Sequence, residues 1–345
     1  MPGSARHSIL PPGEDCVVHT ISRCVRRAYL CGRDAATGKD YEHRRDWVRE
    51  RIQRLAGVFA IEVCAYAVMS NHCHLVLWTR PAVAESWSPE EVARRWLRVF
   101  DRTLTAADAS IANLAKDETR IATLRQHLGS VSWFMRCLNE FIARMANNED
   151  DCTGRFWEGR FKSQLLTDEG AVLACMTYVD LNPVRAKLAD SLETSEFTSI
   201  FDRLTGGKAR RCLEELGALA EPTPEQREML GLAGEQATAD AWLCPMGTAA
   251  GRHTVLDISG DCYLALMEWT GRQLRADKRG ALSGGMEDIL VKLGLDVAAW
   301  VDTVREFGRM FHHAVGSRNN LRAQARRRNC CRAWGTASAR AMYAA

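Results

Sequence analysis

The stretch from Ala65 to Trp78 admits one local fold: a strand, a two-residue turn and a second strand. Apolar residues fill Ala65 to Met69, and Ser70-Asn71 supplies a turn, Asn being tolerant of the left-handed backbone. The second strand starts at His72. Strand side chains alternate, so His72, His74 and Val76 point to one face and Cys73, Leu75 and Leu77 to the other. Two imidazoles on one rigid strand face can grip one divalent cation. A His-x-His pair also occurs as ordinary strand residues, and the spacing alone leaves both readings open.

A second stretch, Met176 to Ala186, supplies what such a metal would serve. Tyr178 and Asn182 are four residues apart and share a face if the stretch is helical. A tyrosine able to attack and an amide oxygen able to complete a metal site then point the same way. Thr167-Asp168-Glu169 caps the helix that presents Tyr178. Pro183 disfavours its continuation, which places Asn182 at the helix end.

His72-Cys73-His74, followed about a hundred residues later by Tyr178-x-x-x-Asn182-Pro183-Val184-Arg185-Ala186, resembles the single-tyrosine HUH transposases. Within them it is most similar to the REP-associated tyrosine transposases of bacteria. Three further blocks carry the resemblance: Val18 to Arg27, Met69 to His74, and Gly154 to Gln164. It covers roughly residues 15 to 200. Cys73 stands where larger aliphatics are usual, on the side away from the two imidazoles.

The resemblance implies an α+β fold: an antiparallel-sheet, ferredoxin-like HUH domain flanked by helices, with a mostly helical C-terminal extension. It implies cleavage and rejoining of single-stranded DNA beside REP-like hairpins, through a 5′-phosphotyrosine on Tyr178. It places His72, His74 and Asn182 around a divalent metal. Imidazole and amide ligands suit Mg²⁺ or Mn²⁺, imidazole favouring the latter. The DNA-binding candidates are Arg23, Arg26, Arg27, Arg155, Arg160, Lys162 and Arg185. Family likeness favours a monomer, with a dimer as the alternative. Two other readings share these residues: a replication or transfer initiator with the same chemistry, and a hairpin-binding protein without cleavage. Intact His72, His74 and Tyr178 argue against the second, and the lack of any helicase motif disfavours the first.

Composition narrows the rest. With 46 basic and 43 acidic side chains the net charge is only +3, so any nucleic-acid surface must be local. No apolar run reaches the length of a membrane span, and Met1 to Arg6 lead into no signal-peptide core; the expectation is a cytoplasmic protein. The 13 cysteines include no Cys-x-x-Cys pair, and most lie among apolar residues, which points to reduced thiols used as small core hydrophobes.

Along the chain, residues 1–14 read as a leader, 15–205 as the HUH domain, 206–250 as a linker and helical connection, and 251–345 as a helical C-terminal region. Strands are expected at Cys16–Ser22, Ala60–Met69, His72–Thr79 and Arg155–Leu166, the last with one basic face. Helices are expected at Tyr41–Val58, after Ser88, over Asp117–His127 and from Ser130 to about Asn147. Arg44, Arg45, Arg49, Arg51 and Arg54 give the first of these a basic side. Gly206-Gly207-Lys208 and Glu221-Pro222-Thr223-Pro224 look like punctuation. Helical periodicity returns over Asp261–Arg272, Met286–Leu293 and Val297–Val315. The run Arg322, Arg326, Arg327, Arg328 and Arg332, with Trp334, is either a phosphate-binding tail or an exposed terminus.

Overall fold

Strand β1 (Cys16–Arg23) is rich in β-branched residues and pairs on both edges. It runs antiparallel to β3 (His72–Thr79) on one side and to β4 (Lys162–Leu166) on the other. The computed structural model describes residues 13–25, 29–34, 37–100, 108–217, 239–247, 254–275, 284–330 and 332–344. The architecture is α+β: a five-stranded, mostly antiparallel sheet with many helices and a helical C-terminal part. Two compact units divide the chain, residues 1–63 with 68–166, and residues 64–67 with 167–345.

Strand β2 (Ile61–Val68), whose residues 64–67 are counted with the second unit, leads into β3 through a hairpin closed by Met69 N–H donating to the His72 carbonyl, 2.9 Å. The Ser70 carbonyl accepts from the N–H groups of Leu30 and Cys31, and the Asn71 carbonyl from Cys24. The turn is where the sequence puts it, for a different reason. Asn71 is not among the residues with positive φ, so its left-handed tolerance is not used. Its side chain instead accepts from the next residue, His72.

One face of the sheet is closed by α6 (Val131–Glu149), against which α1 (Arg44–Ala56) packs. Asn139 Nδ2 donates to Ser22 Oγ at 2.8 Å, and Thr20 Oγ1 meets Met135 Sδ at 3.4 Å. Val18, Thr20, Ser22, Cys73, Leu75 and Leu77 are all buried. The arginines of α1 are not a solvent-facing basic side. Arg44 is fully buried and bound by Glu149 and Asp150, both at 2.6 Å. Arg51 donates to the carbonyls of Val99 and Cys137, and Arg54 to that of Arg98. Arg51 and Arg54 thereby satisfy the carbonyls of Val99 and Arg98, in the last turn of a helix, which have no intrahelical partner.

Four shorter helices complete the first unit: α2 (Pro81–Ser86), α3 (Pro89–Phe100), α4 (Asp108–Ala115) and α5 (Glu118–Leu128). Ser88 Oγ accepts from Glu91 N–H at the start of α3, and Asp117 caps α5 through Arg120 N–H. The strand expected over Arg155–Leu166 is only its last five residues. Phe156 and Trp157 are both buried, which consecutive residues of a one-sided strand cannot be. This segment makes a single bridge, Trp157 to Cys24.

The second unit is built around α7 (Glu169–Asp180), in which every residue from Gly170 to Asp180 is buried. A helix apolar on all sides belongs in a core. Asp168 caps it through Ala171 N–H at 2.9 Å, and also accepts from Ser317 N–H, Asn320 Nδ2 and the Tyr343 hydroxyl. At the far end, Asp180 accepts from Ser199 Oγ, Ile200 N–H and the Tyr263 hydroxyl. Burial pushes that carboxyl up to about 6. Around α7 stand α8 (Asn182–Arg185), α9 (Ser199–Gly217), α10 (Gly260–Leu274), α11 (Gly284–Lys292), α12 (Trp300–Met310), β5 (Ala314–Val315), α13 (Arg318–Arg327) and α14 (Thr336–Met342). Gly206 and Gly207 lie inside α9 rather than in an irregular linker. Glu221 to Pro224, Arg26, Arg27 and most of the leader are outside the described residues. Among the described residues no helix is long and apolar enough to cross a membrane.

Eleven of the cysteines are free thiols. Cys24, Cys31, Cys64, Cys73 and Cys175 are buried, whereas Cys152, Cys262 and Cys330 are exposed. Burial pushes the Cys73 thiol up to about 12, which suppresses the reactive thiolate. Under native conditions iodoacetamide should therefore label Cys152, Cys262 and Cys330 and spare the buried group until denaturant is added. Peptide mass mapping reads this directly, and rapid native labelling of Cys73 or Cys175 would contradict the core described above.

Candidate active site

The first unit holds an imidazole cluster on the face of the sheet opposite α6. His72 and His74 alternate with buried Cys73 on β3, as strand periodicity requires, and their rings stand 4.8 Å apart at 74°. A third imidazole joins them. His19 on β1 is stacked on His74 with ring centroids 5.1 Å apart, and His19 Nε2 lies 2.9 Å from His74 Nδ1. The other nitrogen of His19, Nδ1, lies 2.8 Å from Gln164 Oε1 on β4. Burial, opposed by that hydrogen bond, lowers the His19 pKa to about 4, so the ring is neutral at physiological pH.

Hydrogen-bond polarity follows from the amide oxygens. Asn71 Oδ1 accepts from His72 Nδ1 at 2.7 Å, which makes Nε2 the lone-pair nitrogen of His72. Both amide orientations are assigned from such networks. Among the described residues no group of three or more His, Cys, Asp and Glu side chains could hold a metal on its own. His72 and His74 are two imidazoles, short of such a group by themselves. An incomplete protein ligand set is the arrangement that leaves room for substrate.

The same sheet face carries two of the expected DNA-binding cations. Arg23 is opposite His72 and Lys162 is opposite Ile21, whose other partner is His74. Arg23 is exposed and 3.7 Å from Glu158. Lys162, Arg155 and Arg160 are exposed.

The second unit holds the tyrosine. Tyr178 lies in the last turn of α7 and is 8 % exposed. The Arg185 guanidinium lies 4.3 Å over its ring. Arg185 also donates through Nη2 to Asn182 Oδ1 at 3.2 Å and through Nη1 to the Arg305 carbonyl at 3.1 Å. The helix that bears Tyr178 ends at Asp180 and Asn182 opens the next one, so the two residues do not share one helix as the spacing suggested; Arg185 touches both. The Asn182 oxygen keeps a second lone pair. Asn182 Nδ2 and Arg185 Nε are buried donors without a hydrogen-bond partner among the described residues. Unsatisfied buried donors beside a cation suit an anionic oxygen.

The C-terminal region is part of this site. Phe307 of α12 packs on the Tyr178 ring at 5.3 Å, and the Tyr178 hydroxyl rests against Gly308. Sequence reasoning missed Phe307, Gly308, His19 and Gln164. Nothing in a single sequence pairs α12 with α7. The His19 signal was a polar residue inside an apolar strand, and its partners depend on strand register. No family model, curated protein or solved structure matches this chain.

A methyl group on Gly308 would stand 2.6 Å from the Tyr178 hydroxyl oxygen and 3.2 Å from Cζ. Gly308→Ala should therefore destabilise the protein by about 1–3 kcal/mol of overpacking, offset in part by alanine's better helix propensity. In a Tyr178→Phe background the closest clash is gone, and most of the overpacking loss should return. The propensity term is common to both backgrounds and cancels in the double-mutant cycle. Thermal midpoints read the difference; equal shifts in the two backgrounds would show that the hydroxyl does not lie against Gly308.

Proposed function

We propose that this chain cleaves and rejoins single-stranded DNA through a covalent bond to Tyr178, with the chemistry of the single-tyrosine HUH transposases. The observation that carries the reading is the environment of Tyr178. A phenol able to attack is stacked under a guanidinium that also holds an amide, beside buried donors suited to a phosphate oxygen. The imidazole pair on β3 is the second support.

The roles follow from the side chains. Arg185 places positive charge on the π face of Tyr178, which favours negative charge developing on the phenol oxygen. His72 and His74 would offer imidazole ligands to a Mg²⁺ or Mn²⁺ ion, and the resemblance implies an amide ligand from Asn182. Such an ion, when bound, supplies Lewis acidity toward a phosphate oxygen. Arg23 and Lys162, on the imidazole face, would hold the DNA backbone, with Arg155 and Arg160 as further exposed cations. The Tyr178 oxygen forms its bond to phosphorus as the bond from phosphorus to the 3′ oxygen breaks. The phenol gives up its proton, and the departing 3′ oxygen takes one to become a hydroxyl. The 5′ phosphate stays on Tyr178. Attack by a 3′-hydroxyl reverses the exchange, so rejoining needs no ATP. The substrate expected from the resemblance is a hairpin of repeated extragenic type with an unpaired foot.

Tyr178→Phe keeps the ring packing and removes the attacking oxygen. It should abolish the detergent-stable protein–DNA adduct and strand cleavage on end-labelled hairpin oligonucleotides while hairpin binding survives. An adduct formed by the Phe variant would rule out Tyr178 as the nucleophile.

His72→Ala and His74→Ala should each remove most metal-dependent cleavage, with Asn182→Ala milder because water can replace an amide ligand. Cleavage that persists in chelator, or an Asn182 variant worse than both histidine variants, would contradict the ligand assignment.

A further inference from the structure

We infer that His19 and Gln164 are positioning residues: a hydrogen-bonded chain across three adjacent strands, Gln164–His19–His74, fixes which nitrogen of His74 is available to a metal ion. The metal half of this inference rests on the function proposed above. The chain itself rests on the geometry of the first unit alone.

The placement follows from register. β1 lies between β3 and β4, and His19 is the direct partner of Gln164 across one ladder and of Val76 across the other. His74, two residues before Val76 on β3, is therefore its same-face diagonal neighbour, within reach of a long side chain. All three side chains are buried, at 0 % for His19, 2 % for His74 and 7 % for Gln164. The two links are 2.8 and 2.9 Å, ordinary hydrogen-bond lengths.

A neutral imidazole has one donor and one acceptor nitrogen, so a chain of two imidazoles has a direction. Gln164 Oε1 can only accept. It therefore fixes the proton of His19 on Nδ1 and leaves the lone pair on Nε2. His19 Nε2 then accepts from His74 Nδ1–H, and His74 is left with its lone pair on Nε2. The opposite amide orientation would reverse every step and put a proton on His74 Nε2, where it could bind no metal. His72 reaches the same tautomer by a shorter route, through Asn71. Two ligands thus present the same nitrogen, each set by an amide oxygen behind it. Partners of this kind fix ring orientation and tautomer in metal sites.

The inference concerns protons that can be seen without any substrate. In metal-free protein carrying ¹⁵N-labelled histidine, long-range imidazole correlation spectra should show His74 and His19 as single tautomers, His74 protonated on Nδ1 and His19 on Nδ1. Gln164→Leu removes the terminal acceptor and should turn both rings into tautomer mixtures. Gln164→Glu keeps the acceptor and should preserve the wild-type pattern. Mn²⁺ alone, titrated by calorimetry, should bind roughly 10–100-fold more weakly to Gln164→Leu and to His19→Phe than to the wild type, the usual range for such partners. Gln164→Glu should stay within a few-fold. Circular dichroism confirms that each variant is folded, and the wild-type spectrum tests the chain with no substitution at all. A His74 ring protonated on Nε2 in the wild type would overturn the inference. So would tautomers and Mn²⁺ affinity that ignore Gln164→Leu while His74→Ala abolishes binding. If His74→Ala leaves Mn²⁺ affinity unchanged, the metal site of the proposed function fails, and the tautomer spectra still report on the chain separately.

Discussion

Strand β1 has to satisfy two chemically opposite faces, and the organisation of the first unit follows from that requirement. On one side Val18, Thr20 and Ser22 are buried with α6, and each hydroxyl has a partner there or in the sheet. On the other side the buried group is an imidazole, which costs several kcal/mol if left without hydrogen bonds. His19 can be tolerated only because both ring nitrogens are engaged, one by each neighbouring strand. A one-residue slip of either ladder would turn His19 away from Gln164 or His74 and expose the apolar set at the same time. Register and site geometry are thus specified by the same alternation.

The second unit meets a comparable demand with carboxylates. Asp168 and Asp180 lie at the two ends of α7, and each is held by donors from distant segments. Asp168 collects Ser317, Asn320 and Tyr343, so the C-terminal segments are tied to the start of the helix that bears Tyr178. Asp180 collects Ser199, Ile200 and Tyr263, which ties α9 and α10 to its end. Taking a carboxylate out of water is costly, and donors from several elements offset that cost only when all are in place. The described residues from 260 onward are therefore structural members of this unit, in keeping with the burial of every residue from Gly170 to Asp180.

The local elements were legible because their signals are local. The alternation in His72–Thr79 set the limits of β3, and Asp117, Ser88 and Asp168 marked helix starts with the caps seen in the structure. What failed did so where tertiary structure overrode a local pattern. Apparent alternation in Arg155–Phe161 did not make a strand, because Phe156 and Trp157 are both buried. Gly206 and Gly207 did not break α9. The arginines of α1 looked like a basic surface, but several are bound to helix carbonyls and carboxylates. His19 and Gln164 were invisible as a pair, since 145 residues separate them and only register unites them.

A side chain held as Tyr178 is held trades reach for placement. Its ring is fixed between the Arg185 guanidinium and Phe307, and its hydroxyl is bounded by Gly308. Rotamer freedom lost on folding need not be lost again when substrate arrives, which lowers the entropic part of the barrier. Within the second unit, the Arg185 guanidinium lies over the phenol ring, and within the first unit Arg23 and Lys162 share the sheet face of the histidines. The placement of the phenol gives Gly308 a reason to lack a side chain. A Cβ on that turn of α12 would press on the Tyr178 hydroxyl oxygen at 2.6 Å.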